Sequence, residues 1–248
     1  MGTFTQLFNV SQSGLRLNLL DMDTVSNNLA NINTDGFKST RMDFQELLNQ
    51  KTLDGARVAD TQMDNSQGAL KNTGRDLDWA VSGEGFFGIK QQNGQIAYTR
   101  SGSFQMDSNR NLVDMNGNPL VWNGSIPADA VKVEVDTNGS VSYALNSSSG
   151  VRTIAGQVLL YQFANPSGLL NNGDNLLLET PASGAAVSGK PNTSTLGTVV
   201  GDTLENSNVN MTDQFSHMLI VQRIYEATSR ALQQSNTMLS EAIKMKQG

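Results

Sequence analysis

A chain of 248 residues is long enough to bury a sizeable hydrophobic core, which argues against disorder throughout. Its net charge of −6 and its lack of clustered Lys and Arg argue against nucleic acid as a partner. Because the chain has no cysteine, a disulfide framework, a thiolate zinc site and a catalytic thiol are excluded. No stretch is apolar over the length of a bilayer, and the N-terminus lacks the pattern of a cleaved secretory signal, so we expect no membrane insertion.

The first part of the chain carries an apolar stripe that repeats every seven residues. Its members are Phe8, Leu15, Met22 and Leu29, flanked by Leu19, Val25 and Ile32. A repeat of seven is typical of helices that pack along a coiled-coil-like seam, and it predicts a helix over about residues 3–33. Because the apolar residues lie on one face, we expect this helix to pack that face against a partner.

The middle of the chain changes to a different pattern. Residues 39–74 are polar with few apolar anchors, which predicts an extended connecting segment, or a loosely helical one around residues 44–48. Alternation with period two then follows, and it is interrupted by Asn-Gly pairs, a pattern typical of β-hairpins. The pairs begin at Asn93, Asn116, Asn123, Asn138 and Asn172. We therefore predict a β domain over residues 75–203, with strands at 85–89, 131–135 and 157–163.

The C-terminal region repeats the seven-residue pattern of the N-terminus. Its members are Met211, Met218, Tyr225, Leu232 and Leu239. This pattern predicts a helix over about residues 211–246, with Thr212 and Asp213 capping and charging its start. Residues 1–38 and 204–248 would then form one discontinuous, coiled-coil-like helical domain. The predicted fold is α+β, with an all-β domain rich in hairpins inserted between two long terminal helices.

The sequence offers no candidate for catalysis or for metal or cofactor binding. His217 is the only histidine, and it lies in the helical pattern, where a surface or packing position is expected. Residues 107–111 have the spacing of a calcium loop, but Leu112 stands where glycine is needed and Asn118 where an acidic ligand is needed. We therefore predict a polar turn there and no catalytic residue, metal or cofactor.

Several motifs resemble those of the bacterial flagellar rod and hook protein family. Asn27-Asn28-Leu29-Ala30-Asn31, running into Thr34-Asp35-Gly36-Phe37-Lys38, resembles the family's N-terminal signature. The stretches TGRDLD at 73–78, GEGFF at 83–87 and YTRSGSF at 98–104 are similar to its central β-domain motif. LENSNVN at 204–210, followed by QRIYE at 222–226, resembles its closing helix. The matches cover most of the chain in the family's order.

The resemblance implies a structural protein rather than an enzyme. Within the family, the chain length, FQELL at 44–48 and LGT at 196–198 are most similar to distal rod members. Such a subunit is exported without a leader through the flagellar type III apparatus and polymerises helically into a hollow tube. The tube transmits torque, encloses the export channel and belongs to the extracytoplasmic part of the basal body. The implied partners are other copies of the chain, neighbouring rod and hook subunits, the export apparatus and, as a further candidate, the ring proteins around the rod.

Other assignments stay open at this point. One is a proximal rod subunit or a short hook-type subunit of the same family. Another is a monomeric binding module whose terminal helices close on each other, which would give a protease-resistant chain that does not polymerise. A third is an enzyme of the β domain, for example a hydrolase, which a Glu84→Ala variant would test.

The end of the first helix gives a specific hypothesis about assembly. Its four asparagines are Asn27, Asn28, Asn31 and Asn33. Because asparagine is a poor helix former, we predict that these amides bond across helices, or to the following turn, in the assembled tube and fix its register. Gly36 would supply a left-handed helix cap, with Phe37 folded back against Leu29 or Ile32. Together with the apolar members of both stripes, these residues form the predicted assembly interface.

Overall fold

The computed structural model describes residues 2–49, 52–145, 152–193 and 195–247. Within these ranges it describes the side chains except those in 2–9, 44–60, 239, 242–243 and 245–247. The chain divides into two compact units. The helical unit comprises Met1–Asn31, Thr40–Asp64 and Val209–Gly248, and the β-rich unit comprises Ile32–Ser39 and Asn65–Asn208. The predicted α+β class, with a helix at each end and a β-rich middle, is confirmed.

Two long helices dominate the helical unit. Helix α1 spans Gly2–Ala30 and helix α2 spans Met211–Gln247. They pack antiparallel, since Asn28 bonds to Gln214 while the Cβ position of Gly14 lies 3.7 Å from Thr228 Cγ2. Neither has an apolar run that could cross a membrane, as far as the described residues extend.

Helix α2 begins at Met211 as predicted, but its N-cap is not the predicted residue. The backbone N–H of Thr212 donates to Asn210 Oδ1 at 3.0 Å, so Asn210 is the N-cap and Thr212 lies inside the first turn. Asp213 does lie in that turn, where its charge complements the helix dipole. The cap lies two residues before the predicted one because the carboxamide of Asn210 accepts the bond.

A long antiparallel hairpin completes the helical unit. Strand β1 spans Thr40–Asn49 and strand β2 spans Thr52–Met63, with Thr40 paired to Met63 and Asn49 paired to Thr52. The register shifts after Asp43 and again after Glu46. The extended alternative for residues 44–48 is therefore confirmed, and the loosely helical one is wrong because strand pairing satisfies this backbone.

The β-rich unit consists of short strands and tight turns. The strands are β3 (Leu70–Asn72), β4 (Trp79–Ser82), β5 (Phe86–Lys90), β6 (Ile96–Thr99), β7 (Gln105–Met106), β8 (Leu112–Val113), β9 (Trp122–Gly124), β10 (Ala130–Val135), β11 (Ser140–Leu145), β12 (Arg152–Val158), β13 (Leu160–Gln162), β14 (Leu170–Asn171), β15 (Leu177–Leu178), β16 (Val187–Gly189), β17 (Thr198–Gly201) and β18 (Thr203–Glu205). A single 3₁₀ turn, Pro166–Gly168, is seen between β13 and β14 in the described chain.

Antiparallel pairing organises these strands. A six-stranded sheet has the order β14-β15-β6-β5-β13-β16, and a four-stranded sheet has the order β10-β11-β12-β9. The smaller pairs are β17 with β4, β18 with β3 and β7 with β8. The core between them is aromatic and aliphatic: the Phe104 ring lies 5.5 Å from that of Trp79 and 5.3 Å from that of Phe87, both edge-on.

The predicted strands at 85–89 and 131–135 are confirmed as β5 and β10. The run at 157–163 is divided, because β12 ends at Val158 in the four-stranded sheet and β13 begins at Leu160 in the six-stranded one. The turn prediction at Asn123 is wrong, since Asn123 and Gly124 pair with β12 as part of β9. The other Asn-Gly pairs do lie in turns.

Aspartate side chains accept backbone hydrogen bonds in two turns of the β-rich unit. Asp107 Oδ1 accepts the backbone N–H groups of Asn109 and Asn111, both at 2.8 Å, and these bonds, led by those from Asn111, lower the pKa of the carboxyl. Asp114 repeats the arrangement with Asn116 and Asn118. The predicted polar turn at residues 107–111 is confirmed.

Candidate assembly surface on the terminal helices

One face of α2 is packed within the helical unit. Its buried and half-buried positions alternate at spacings of four and three: Gln214, Met218, Val221, Tyr225, Thr228, Leu232 and Ser235. Three residues of the predicted stripe, Met218, Tyr225 and Leu232, lie on this face. They therefore contribute to packing inside the unit, and Leu239 lies outside the described side chains.

Two further sets of apolar side chains on α2 are exposed. Met211, Phe215 and Leu219 follow every four residues along one flank of the packed face, and Ile220 and Ile224 lie on the other, given about 100° of rotation per residue. All five are between 47% and 58% exposed. We call these two sets the α2 flanks. Large apolar side chains grouped in this way on a helix are typical of an interaction surface.

The predicted stripe of α1 lies beside its most buried line. The buried positions are Asp21, Val25 and Asn28. The stripe residues Leu15, Met22 and Leu29 are half-buried on the adjoining side, and Phe8 lies outside the described side chains. Leu19 and Leu20 are exposed, like the α2 flanks.

Asn28 is the most tightly held of the four asparagines. Its Nδ2 donates to Thr40 O at 2.7 Å and to Gln214 Oε1 at 3.3 Å, and its Oδ1 accepts the Thr40 N–H at 3.0 Å. Because only 3% of the residue is exposed, these bonds replace water at both ends of the amide. One side chain thus joins α1, α2 and β1 within a single chain.

The remaining asparagines lie nearer to solvent. Asn31 Nδ2 donates to Asn27 O at 2.9 Å and to Asn27 Oδ1 at 3.4 Å, which satisfies a carbonyl of the last turn of α1. Asn27 and Asn33 are exposed, and Ile32 is half-buried. The structure therefore places the Asn28 amide in a buried bond across helices.

The prediction that Gly36 caps α1 is wrong. The helix ends at Ala30, whereas Gly36, with φ of 72°, lies in a turn closed by the Phe37 N–H donating to Thr34 O at 3.3 Å. A Cβ at Gly36 would lie 2.4 Å from Ser101 N, so both conformation and space require glycine here. The turn is needed because the Gly36 N–H donates to Glu205 O at 2.6 Å. Phe37 is buried in this β-rich unit.

The lone histidine lies at the surface of α2, one of the two kinds of position predicted for it, with 48% of its side chain exposed. His217 Nε2 lies 3.3 Å from Asp21 Oδ2 on α1. In the part of the chain that the structure describes, no three acidic or histidine side chains group closely enough to hold a metal ion.

Sequence reasoning missed the α2 flanks as a separate surface. Of their five residues only Met211 belongs to the predicted seven-residue repeat, while Phe215, Leu219, Ile220 and Ile224 lie outside it. The sequence does contain a pattern that indicates them, because apolar residues four apart occur on both sides of the seven-residue repeat. Periodicity alone could not tell which of several apolar lines packs inside the chain.

Three family models match the chain in order. "Flagella basal body rod protein" matches residues 8–38, "Flagellar hook protein FlgE/F/G D1 domain" matches 80–143, and "Flagellar basal body rod FlgEFG protein C-terminal" matches 201–245. The flagellar basal-body rod protein FlgG of Buchnera aphidicola subsp. Acyrthosiphon pisum is 33% identical, over 94% of this chain and 96% of its own length. The chain belongs to the flagellar basal-body rod protein family.

Other relatives refine this assignment. FlgG of Bacillus subtilis is 33% identical, over 94% of this chain and 96% of its own length. The flagellar hook protein FlgE of Escherichia coli is 35% identical, but over 59% of this chain and 41% of its own length. The resemblance to FlgG-type rod proteins is therefore the fuller one. The two rod-protein models match residues 8–38 and 201–245 of this chain, and these ranges include most of α1 and α2.

Proposed function

We propose that this chain is a structural subunit of the flagellar basal-body rod, of the distal (FlgG) type. The observation that carries the proposal is the match to FlgG proteins over 94% of the chain. The protein is a building block of the basal body and not an enzyme. Its function is to bind its neighbours.

In this role the subunit polymerises helically with copies of itself. The terminal helices form a coiled-coil-like inner tube around the export channel, and the β-rich unit forms the outer layer. A contact between two different surfaces repeats without closing, which generates an open filament. The α2 flanks support this proposal, because they offer two separate apolar surfaces on one helix. The tube then transmits torque along the rod.

The strength of each contact follows from the exposed area. Full burial of a Leu, Ile or Phe side chain is worth about 1.5–3 kcal/mol, so a half-exposed one gains about 1 kcal/mol. The five flank residues can thus add several kcal/mol per subunit, against the entropy cost of association. Single contacts are weak, and the polymer is stable because each subunit makes many.

Further partners are proposed from the family. Neighbouring rod and hook subunits would meet the two ends of the polymer, and the similarity to the FlgE hook protein over 165 residues supports a neighbour of related sequence. The type III export apparatus would deliver the chain, and the ring proteins would surround the outer layer. Asn27, Asn28, Asn31 and Asn33 keep their proposed role in register, with Asn28 acting through the pairing of α1 and α2.

The other family assignments, a proximal rod or a short hook-type subunit, predict the same kind of polymer with different neighbours. The monomeric binding module predicts that the terminal helices bury their apolar residues against each other. The half-exposed α2 flanks favour a polymer over that module.

The flanks provide the test. Leu219→Gln and Ile224→Gln each remove one apolar side chain, on opposite flanks, and introduce a good helix former. Gln222→Ala is a matched control at an exposed polar position of α2. We expect unchanged circular dichroism in dilute solution, and a critical concentration for polymerisation raised about fivefold by either flank variant. Sedimentation at increasing concentration measures it. Polymerisation of both flank variants at the wild-type concentration contradicts the proposal.

A further inference from the structure

Three charged side chains are buried together in the β-rich unit. Lys38 Nζ lies 2.6 Å from Glu205 Oε1, and Arg100 Nη1 lies 3.5 Å from Glu205 Oε2. Lys38 is 7% exposed, Glu205 1% and Arg100 5%. We call this group the charge clasp. None of its members belongs to the predicted assembly interface.

Backbone groups complete the lysine side of the clasp. Lys38 Nζ donates to Ser66 O at 2.6 Å, and Glu205 Oε1 accepts the Gly68 N–H at 2.9 Å. Charge-assisted bonds of this length are among the stronger ones in proteins. The lysine side of the clasp therefore joins three segments that are remote in sequence: the one after α1, the one before β3, and the one before α2.

The arginine side is less well satisfied. The Arg100 guanidinium lies 5.1 Å from the centre of the Phe86 ring, and its Nη1 donates to Val81 O at 3.4 Å. Among the described residues, Arg100 Nε and Glu205 Oε2 have no hydrogen-bond partner. Burial lowers the pKa of Arg100, against the opposing influence of Glu205. The single carboxylate of Glu205 is thus paired with two buried cations, Lys38 and Arg100.

Stability alone does not account for such a group. Removing charges from water is unfavourable, and well-packed apolar residues in place of a buried ion pair are often as stable or more so. What charged and hydrogen-bonded groups do add is directionality, because only one arrangement satisfies them.

The backbone around the clasp is equally restrictive. The Gly36 N–H donates to Glu205 O at 2.6 Å, and the Asn206 N–H donates to Ala69 O at 2.9 Å. A Cβ at Gly68 would lie 1.9 Å from Asn206 O, so the segments before β3 and after β18 approach as closely as glycine allows. The Ser39 N–H donates to Asn208 Oδ1 at 2.7 Å. The chain enters and leaves the unit through these segments.

We infer that the charge clasp is a positioning device that fixes the segment after α1 against the segment before α2, so that the subunit has the geometry required for polymerisation. The inference rests on the proposed function. It assigns Lys38, Glu205 and Arg100 a role in the accuracy of assembly, while folding depends on the apolar core. The clasp acts from inside the β-rich unit and does not contact a neighbouring subunit itself.

The test replaces all three charges together. In the variant Lys38→Met, Arg100→Met, Glu205→Leu, we expect a thermal midpoint close to that of the wild type and a critical concentration for polymerisation raised at least about tenfold. We also expect faster amide hydrogen exchange at residues 36–39 and 205–208 than in the rest of the β-rich unit. If the triple variant polymerises at the wild-type concentration and its amides exchange at the wild-type rates, the inference is overturned.

The controls separate the possible failures. Lys132→Met with Glu134→Leu removes a partly exposed ion pair of the same unit and should change neither measurement. If the triple variant does not fold, Glu205→Asp keeps the charge but withdraws the carboxylate by one methylene, and it should show the same two effects. If the wild-type chain itself does not polymerise, the proposed function fails, and the exchange measurement alone decides whether the clasp positions these segments.

Discussion

At the scale of single residues, Asn28 shows how a side chain that disfavours helices is used. Its amide makes bonds to both α2 and β1, so the helix-weakening residue becomes the polar link of the helical unit. Asn31 looks equivalent in the sequence, yet it bonds within its own helix turn. The pattern of asparagines could be recognised in advance, but not which of them would be buried, because that depends on where β1 returns along α1.

Replacing Asn28 by leucine should be clearly destabilising. The variant leaves the backbone N–H and C=O of Thr40 and the Gln214 amide without this partner, at a cost of about 2–4 kcal/mol in the free energy of unfolding. Asn31→Leu is the control and should change it by under about 1 kcal/mol, while the register hypothesis predicts weaker polymerisation. Urea unfolding followed by circular dichroism measures both, and equal stability of the two variants contradicts this role of Asn28.

A second prediction at this scale concerns two tyrosines. Burial, with smaller contributions from Glu179 and Tyr161, raises the pKa of Tyr98 to about 12, and burial also raises the pKa of Tyr161. A raised pKa in the folded state favours folding below the unfolded value near 10, and this stability is lost as the pH rises from about 10 through 12.

The tyrosine prediction can be checked by alkaline titration of phenolate absorbance. We expect late ionisation of part of the tyrosine signal and a loss of stability in the same pH window. Tyr98→Phe should make the stability less dependent on pH there. Ordinary titration of every tyrosine in the folded protein is the contrary result.

At the scale of secondary-structure elements, α1 and α2 approach closely where their side chains are small. The Cβ position of Gly14 lies at ordinary contact distance, 3.7 Å, from Thr228 Cγ2. The presence of both terminal helices could be predicted from the seven-residue repeats, because period and amphipathicity are local properties. The division of residues 157–163 between two sheets could not, because one continuous apolar run gives no sign of where the chain changes sheets.

Gly14→Ala should therefore stabilise the helical unit. Alanine is the better helix former by about 1 kcal/mol, and its methyl group fits the space beside Thr228. Gly68→Ala is the matched comparison and should be strongly destabilising, since its Cβ would meet Asn206 O at 1.9 Å. Thermal unfolding of both variants provides the test. A destabilised Gly14→Ala variant would contradict the presence of room for a methyl group between Gly14 and Thr228.

At the scale of the whole molecule, both compact units are assembled from separate parts of the sequence. The order of motifs along the chain indicated the family and the α+β class. The charge clasp gave no such signal, because Lys38 and Glu205 are 167 positions apart and each occurs in a motif without an evident partner. Long-range pairs of this kind follow from the tertiary fold and are not visible in local periodicity.

The proposed function requires that the terminal helices of many copies of this chain assemble into a tube. Electron microscopy of the purified chain, concentrated stepwise, tests it most directly. We expect hollow helical polymers with α1 and α2 on the inside and the β-rich unit on the outside, and no polymers of Leu219→Gln at the same concentration. A chain that stays monomeric at every concentration, or polymers with the β-rich unit lining the channel, would contradict it.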